Sequence, residues 1–249
     1  MRRYALRDDQ WERIKDFLPG REGHVGGTAA DNRLFVDAVV YRYRAGIPWR
    51  DLPERFGDWK ITYQRFNRGA KSGVFDRLFK TLSSDPDNEY MMIDATIVRA
   101  HQHSAGAKKN GAQAIGRSRG GLTTKIHALV DALGNPVALM LTGGQAHDLA
   151  CAEPLIDGAD PEALIGDKAY DSDQLIGALA ERGITAVIPP KANRKTPRAC
   201  DFALYCERNL VERFFNKLKH FRAIATRYDK LARNFLAGIQ LACAIILLN

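Results

Sequence analysis

Three acidic residues carry most of the chemistry this sequence offers: Asp94, Asp167 and Glu212. Asp94 follows the apolar run Tyr90-Met91-Met92-Ile93 and Asp167 follows Ala163-Leu164-Ile165-Gly166, so each stands at or just inside the end of a predicted buried strand. An ionised carboxylate beside a dry core is unfavourable unless a positive partner meets it, and a metal ion is the strongest such partner. If the two strands are parallel neighbours, both acids emerge on the same edge of the sheet, where α/β proteins keep their sites. Taken singly, an Asp after a strand also reads as a helix cap or turn residue. That is the reading for Asp171 and Asp173, and for Asp148 after His147, with Asp148 a rival to Asp167.

Glu212 is supported by its neighbours. A helix predicted over 205–220, unwound at about 100° per residue, places Glu212 about 40°, Lys219 about 20° and Tyr205 about 60° from Arg208. These four polar-tipped residues share one stripe. Leu204, Val211, Phe214, Leu218 and Phe221 fall to one side of it, so the helix buries its apolar side and aims Glu212 along the border. The alternative is a solvated stripe with an Arg208–Glu212 pair one turn apart, contributing about a few tenths of a kcal/mol. A tyrosine and three charges on a core border weigh against that alternative.

The elements that must position these residues fall into two regions. Residues 1–82 read as helical: Asp8 or Asp9 caps a helix through Phe17, a Gly-rich connector spans 23–28, and a second helix covers about 31–44. A short third helix over 49–56 ends at Gly57, and Asp58 caps a helix over 59–71. Two short helices joined at a glycine, the second bearing Lys60, Gln64, Arg65, Arg68 and Lys71 among aromatics, fit a helix-turn-helix-like DNA-binding domain. A helical bundle with a solvated basic face is the competing reading. The polar stretch SSDPDN, 83–88, is the predicted linker.

From 89 to 249 the pattern is mixed α/β: strands over 90–98, 125–130 and 136–141 around the Gly134-Asn135 turn, a helix near 149–156, and a strand over 163–166. A helix over 172–181 and a strand over 185–188 follow, then the Glu212 helix and an apolar helix over 235–248, read as core or as a dimer contact. Residues 101–121, rich in Gly and Ala and basic, read as a mobile loop. Within it Arg117 and Arg119, with Lys125 beyond, flank the glycines of GRSRGG as a phosphate-binding loop or a flexible basic linker. His101 and His103 are assigned to solvent or DNA contacts rather than metal, and PPKANRKTPRA, 189–199, is irregular.

Composition narrows the function classes. The chain has 249 residues, enough to bury a full core, and a formal charge of +8 that points to a polyanionic partner. Residues 41–80 hold ten Lys and Arg against four acids, so most of that excess is concentrated there. No apolar segment is long enough to span a bilayer and no signal peptide is evident, so a cytoplasmic, nucleoid-associated protein is expected. Cys151, Cys200, Cys206 and Cys243 form no metal-type spacing and are expected to be reduced.

Tyr205, Arg208, Glu212 and Lys219 match without a gap the Tyr-Arg-Glu-Lys pattern of insertion-sequence transposases with a DDE triad. The segments IDATIVRAHQH, GRSRGGLTTKIHALVDALGNP and GDKAYDS resemble the insertion sequence five family in particular, and the resemblance covers nearly the whole chain. It implies a ribonuclease-H-like mixed sheet flanked by helices, with Asp94 and Asp167 supplied by strands and Glu212 by a helix. The short interval from Asp167 to Glu212 leaves no room for a large inserted β-domain. The implied activity is cleavage at terminal inverted repeats and joining of the 3′-hydroxyl ends to target DNA, by a homodimer on double-stranded DNA. All-oxygen ligands select hard ions, so two Mg²⁺, with Mn²⁺ able to substitute, are the expected cofactors, Asp94 bridging both while Asp167 and Glu212 each complete one. Lys219, Arg208 and Tyr205 would then meet the DNA. The rival functions are a domesticated DNA-binding regulator and a ribonuclease-H-like nuclease without strand transfer.

Overall fold

Asp31 and Asp58 start helices as their side chains allow, accepting hydrogen bonds from the backbone N–H of Leu34 at 2.8 Å and of Lys60 at 2.7 Å. The computed structural model describes residues 4–21, 23, 27–106 and 113–249. Parts of the predicted connector (24–26) and of the predicted loop (107–112) lie outside the described residues. The chain forms two compact units, one made of 1–82, 100–113 and 218–249 and the other of 83–99 and 114–217.

The first unit is helical. Helix α1 (Asp8–Ile14) carries Asp8 and Asp9 in its first turn, where they suit the helix dipole, while Arg7 holds the cap position. Helices α2 (Asn32–Ala45), α3 (Trp59–Lys71) and α4 (Val74–Leu82) follow. The short helix predicted over 49–56 is instead two 3₁₀ turns, Trp49–Asp51 and Glu54–Phe56. Pro53 accounts for the break: it lacks an N–H to donate and bars Leu52 from helical geometry.

The second unit is built on a sheet. Strands β1 (Tyr90–Ala100), β2 (Gly116–Ser118), β3 (Gly121–Val130), β4 (Pro136–Gly143), β5 (Ala163–Gly166) and β6 (Thr185–Val187) are joined in the order β2-β3-β1-β5-β6, with β4 also paired to β3. β1, β3 and β4 are antiparallel neighbours, whereas β5 and β6 run parallel to β1. A three-stranded meander whose first strand is extended on its other side by two successive parallel strands is the ribonuclease-H-like arrangement. Met91, Ile93 and Leu164 bury their side chains in one core with Leu155, Leu175 and Leu179 from α5 (Ala152–Ile156) and α6 (Asp173–Glu181). The loop predicted over 101–121 is partly regular: 102–106 form a 3₁₀ turn, and GRSRGG makes the β2–β3 hairpin, closed by the Thr123 hydroxyl donating to Ser118 Oγ at 2.9 Å.

The helix predicted over 205–220 is divided. Helix α7 (Phe202–Tyr205), capped by Asp201, passes through a 3₁₀ turn at Cys206–Arg208 into α8 (Asn209–Lys219). The apolar side is buried as predicted, with Val211, Phe214 and Leu218 at 0% exposure. The helical unit is then completed by α9 (Arg222–Ala225) and α10 (Ala232–Leu247). α10 packs on α2, α3 and α4 and is core, not a free surface. Gly238 permits this packing, because a Cβ there would lie 2.1 Å from Cζ of Tyr43. No helix among the described residues is long and apolar enough to cross a membrane.

Candidate active site

The parallel ladder between β1 and β5 ends at the pair Ile93–Gly166. Asp94 follows Ile93 within β1 and Asp167 follows Gly166 just past the end of β5, so the two acids adjoin where the ladder stops, and Asp167 acts on the Asp94 carboxyl. β1 itself continues past Asp94 to Ala100. Asp94 therefore lies not at the end of its strand but where that strand loses its parallel partner, which leaves its carboxylate room on that side. One oxygen of each acid is held by nearby backbone: Ala95 N donates to Asp94 Oδ1 and Ala169 N to Asp167 Oδ1, both at 2.8 Å. Asp167 thus caps the 168–170 turn, and its second oxygen keeps its lone pairs.

Arg208 ties Glu212 to this pair. Its guanidinium donates through Nη2 to Asp94 Oδ2 at 2.6 Å and through Nη1 to Glu212 Oε1 at 2.7 Å. The i,i+4 pair of the simpler reading therefore exists, extended by a bond across 114 residues of sequence. Burial pushes the Asp94 carboxyl up from its ordinary value; Arg208 and the Ala95 N–H oppose this, while Asp167 and Asp148 add to it. For Arg208, burial disfavours the charge, but Asp94, Tyr205 and Glu212 outweigh it and the guanidinium is held above its usual range. Tyr205 ends α7 within the same field: burial raises its hydroxyl, Arg208 lowers it, and Asp167 raises it again. Lys219 is the last residue of α8.

Beside these acids lies a polar knot of which sequence reasoning singled out Lys125 and Asp148 but passed over His127 and Tyr170. Lys125 donates to Asp148 Oδ1 at 2.8 Å and to the Ala146 carbonyl at 2.7 Å, so this predicted phosphate ligand has its partners within the protein. Asp148, read from sequence as a cap, is the partner of Lys125 instead. His127 is fully buried with Nε2 2.7 Å from Thr142 Oγ1. The hydroxyl of Tyr170 is buried without a partner, and burial, followed by Asp148, Asp94 and Asp167, drives its titration far above the ordinary range. The available signal for this cluster was that Lys125 and His127, two residues apart on β3, share one face of that strand.

Burial lowers the His127 pKa below its ordinary value, with Asp148 opposing and Lys125 reinforcing. The unfolded chain therefore takes up the proton first as pH falls through about 6.5, and stability is lost from that point downward. Urea unfolding between about pH 7.5 and 5.5 should show the wild type losing more stability than His127→Gln; equal losses would remove His127 as the cause.

Asp171 and Asp173 are not caps. Asp171, with its side chain 1% exposed, accepts from Lys191 N at 2.8 Å and from Arg194 Nε at 2.7 Å, and also pairs with Arg198. Asp173 pairs with both arginines as well, so the irregular basic stretch after β6 is clamped to the start of α6.

The predicted DNA contacts are dispersed. On α3, Lys60, Gln64, Arg68 and Lys71 are exposed on one face with Ile61, while Thr62 and Phe66 are buried. Arg65 turns inward, 4.1 Å over the Phe35 ring and bonded to Asn32. Arg117 and Arg119 are exposed on the β2–β3 hairpin.

Residues 86–247 match the family described as "Transposase DDE domain", and residues 6–79 match "Putative transposase of IS4/5 family". The chain belongs to the DDE-domain transposases. Among curated relatives of this transposase chain, "Putative transposase for insertion sequence element IS6501" from Brucella ovis is 40% identical over 130 residues, covering 51% of this chain and all of the relative. "Putative transposase for insertion sequence element IS402" from Burkholderia cepacia is 33% identical over 156 residues, 58% of this chain and 71% of the relative. Of solved structures, the piggyBac transposase synaptic complex with hairpin DNA aligns at 15% identity and a TM-score of 0.40, over 77% of this chain and 50% of that one. This transposase chain therefore spans half the length of that protein, and its fold assignment rests on the strand order rather than on that likeness.

DDE transposase domains use divalent metal ions. The donors here suit such an ion: two adjoining carboxylates whose charges oppose one another, with only hard oxygen ligands. Among the described residues no three His, Cys, Asp or Glu side chains are gathered closely enough to hold one. The positive charge shared between Asp94 and Glu212 is that of Arg208.

Proposed function

We propose that this chain is a DNA transposase in which Asp94, Asp167 and Glu212 hold Mg²⁺, or Mn²⁺ in its place, cleave transposon ends and join them to target DNA. The observation that carries this reading is the adjacency of Asp94 and Asp167 at the end of the β1–β5 ladder, with Glu212 linked to Asp94 through one guanidinium. When bound, the divalent ions supply activation of the attacking oxygen and stabilisation of the leaving one. Asp167 contributes its free carboxylate oxygen and Asp94 the oxygen that Arg208 holds before the ions bind. Glu212, its side chain 55% exposed, turns from Arg208 to join them. Arg208, released from Asp94, is then placed to meet a DNA phosphate with its two-pronged donor edge, beside Tyr205 and with Lys219 further along α8. In the first step water attacks a phosphorus at the transposon end and the P–O3′ bond breaks, leaving a 3′-hydroxyl. In the second that hydroxyl attacks a target phosphorus and displaces a target 3′-oxygen.

The exposed basic face of α3 is the DNA-reading surface on this proposal, with the helical residues 1–82 as the binding domain and Arg117 and Arg119 adding phosphate contacts. Full-length protein with Lys60, Gln64, Arg68 and Lys71 all replaced by Ala should bind a terminal-repeat duplex at least about tenfold more weakly and with a shallower salt dependence, as lost phosphate contacts require. An unchanged salt slope in a filter-binding assay would move the binding surface elsewhere. To test the chemistry, precut terminal-repeat ends are incubated with plasmid target and Mg²⁺. Joined products are expected; nicking without joining would favour the ribonuclease-H-like nuclease.

A further inference from the structure

The helical unit contains a cavity of about 610 Å³ that the chemistry above leaves unused. Its walls are flat rings: Trp49, Trp59, Tyr63 and Tyr228, with His101 stacked on Tyr228 at 4.7 Å between ring centroids. Tyr228 is 40% exposed, unusual for a large ring, and the exposed side chains of Arg50 and Lys230 bring positive charge to the same cavity. Its single carboxylate, Asp229, is already engaged by Arg42 and Tyr43. Among the residues that line the cavity, Arg42, Trp49 and Asn234 each keep one buried polar atom without a partner, Nε, Nε1 and Oδ1 respectively.

We propose that this cavity receives one unstacked nucleobase of a DNA strand. The inference rests on the transposase reading above and names a part of the substrate that the carboxylates do not touch. Aromatic walls stack on the π-face that every base has. A base edge also carries both donors and acceptors, which suit the polar side chains that line the cavity beside the rings. The flanking phosphates account for Arg50 and Lys230. The volume falls within the range of sites for small ligands of this kind.

Trp49 and Trp59 are two of the chain's three tryptophans, so the full-length protein with Trp11→Phe reports on the cavity by intrinsic fluorescence. Titration with a short mixed-sequence single-stranded oligodeoxynucleotide should quench saturably. The same strand made of abasic sites should not, since it keeps the phosphates and loses the bases. Tyr228→Ala should weaken the quenching titration by about tenfold or more, the size expected for one lost stacking partner, while Tyr228→Phe restores it and both variants keep the wild-type melting temperature. Equal quenching by the abasic strand, no quenching by the natural one, or an unchanged titration in Tyr228→Ala would each overturn the proposal. Deoxynucleoside monophosphates quenching as tightly as the strand would make this a free-nucleotide site instead and overturn the DNA assignment. The transposase reading is separable: Asp94→Asn should quench normally while failing to cleave, and a protein that cleaves and joins without quenching defeats only the cavity assignment.

Discussion

On the proposed function, replacing Asp94 or Asp167 with Asn, or Glu212 with Gln, should lower metal-dependent cleavage of a terminal-repeat duplex by on the order of a thousandfold or more, with DNA affinity changed by less than about threefold. The amide keeps the shape of the carboxylate and removes the charge that a hard cation needs, so the loss falls on the chemical step. Asp94 and Asp167 adjoin at the end of one ladder, and neither can substitute for the other without moving a strand. The fold should tolerate these changes unequally. Asp94 is 16% exposed and bonded to Arg208, so Asn there leaves a partly buried guanidinium with only Glu212 as counter-charge; Glu212, at 55% exposure, is the mildest of the three for stability. Cleavage within about tenfold of wild type in any one variant would remove that residue from the triad. Divalent-ion titration of each variant supplies a second readout, since a lost ligand weakens ion binding whether or not DNA is present.

Asp229→Ala should destabilise the protein by about 3–5 kcal/mol, enough to lower the melting temperature by roughly 10 °C in a chain of this size. Arg42 and Asp229 form an ion pair at 3.2 Å with side chains 3% and 5% exposed. Burial works against the Arg42 charge, and Asp229 with Tyr43 more than restores it. Removing the carboxylate strands a buried guanidinium whose remaining support is its position 4.6 Å over the Tyr43 ring and 5.0 Å over Trp49, worth much less than an ion. Tyr43 retains the Asn234 carbonyl as an acceptor and so loses only part of its bonding. Arg42→Met combined with Asp229→Leu should recover most of the loss, because the pair's own desolvation is then relieved. A single Asp229→Ala variant melting within about 2 °C of wild type would mean that water reaches Arg42.

Much of the local structure was legible in the chain. Asp58 at the start of α3 and the apolar runs before Asp94 and Asp167 placed their elements to within a residue or two, because caps and strand burial are dictated over short stretches of sequence. The stripe of Tyr205, Arg208 and Glu212 was legible too, although the wheel assumed one helix where a 3₁₀ turn at Cys206–Arg208 interrupts it. Errors came where a local rule had a nonlocal competitor. GRSRGG lacks hydrophobic periodicity, yet β3 gives it a partner and makes it a strand. Asp171 resembles a cap in sequence and is instead the anchor for two arginines more than twenty residues downstream.

By itself, then, the sequence determined which acids stand beside buried strands, which helix face carries Glu212, and where positive charge is concentrated. These are properties of neighbours along the chain, fixed by backbone geometry and burial. Only the tertiary structure decided that Asp94 and Asp167 adjoin where the β1–β5 ladder stops, that Arg208 bridges Asp94 to Glu212, and that Lys125 is committed to Asp148. Those facts depend on which strands pair and on contacts spanning 23 to 114 residues, and the free energy that selects such contacts comes from burial of the whole core rather than from any local preference.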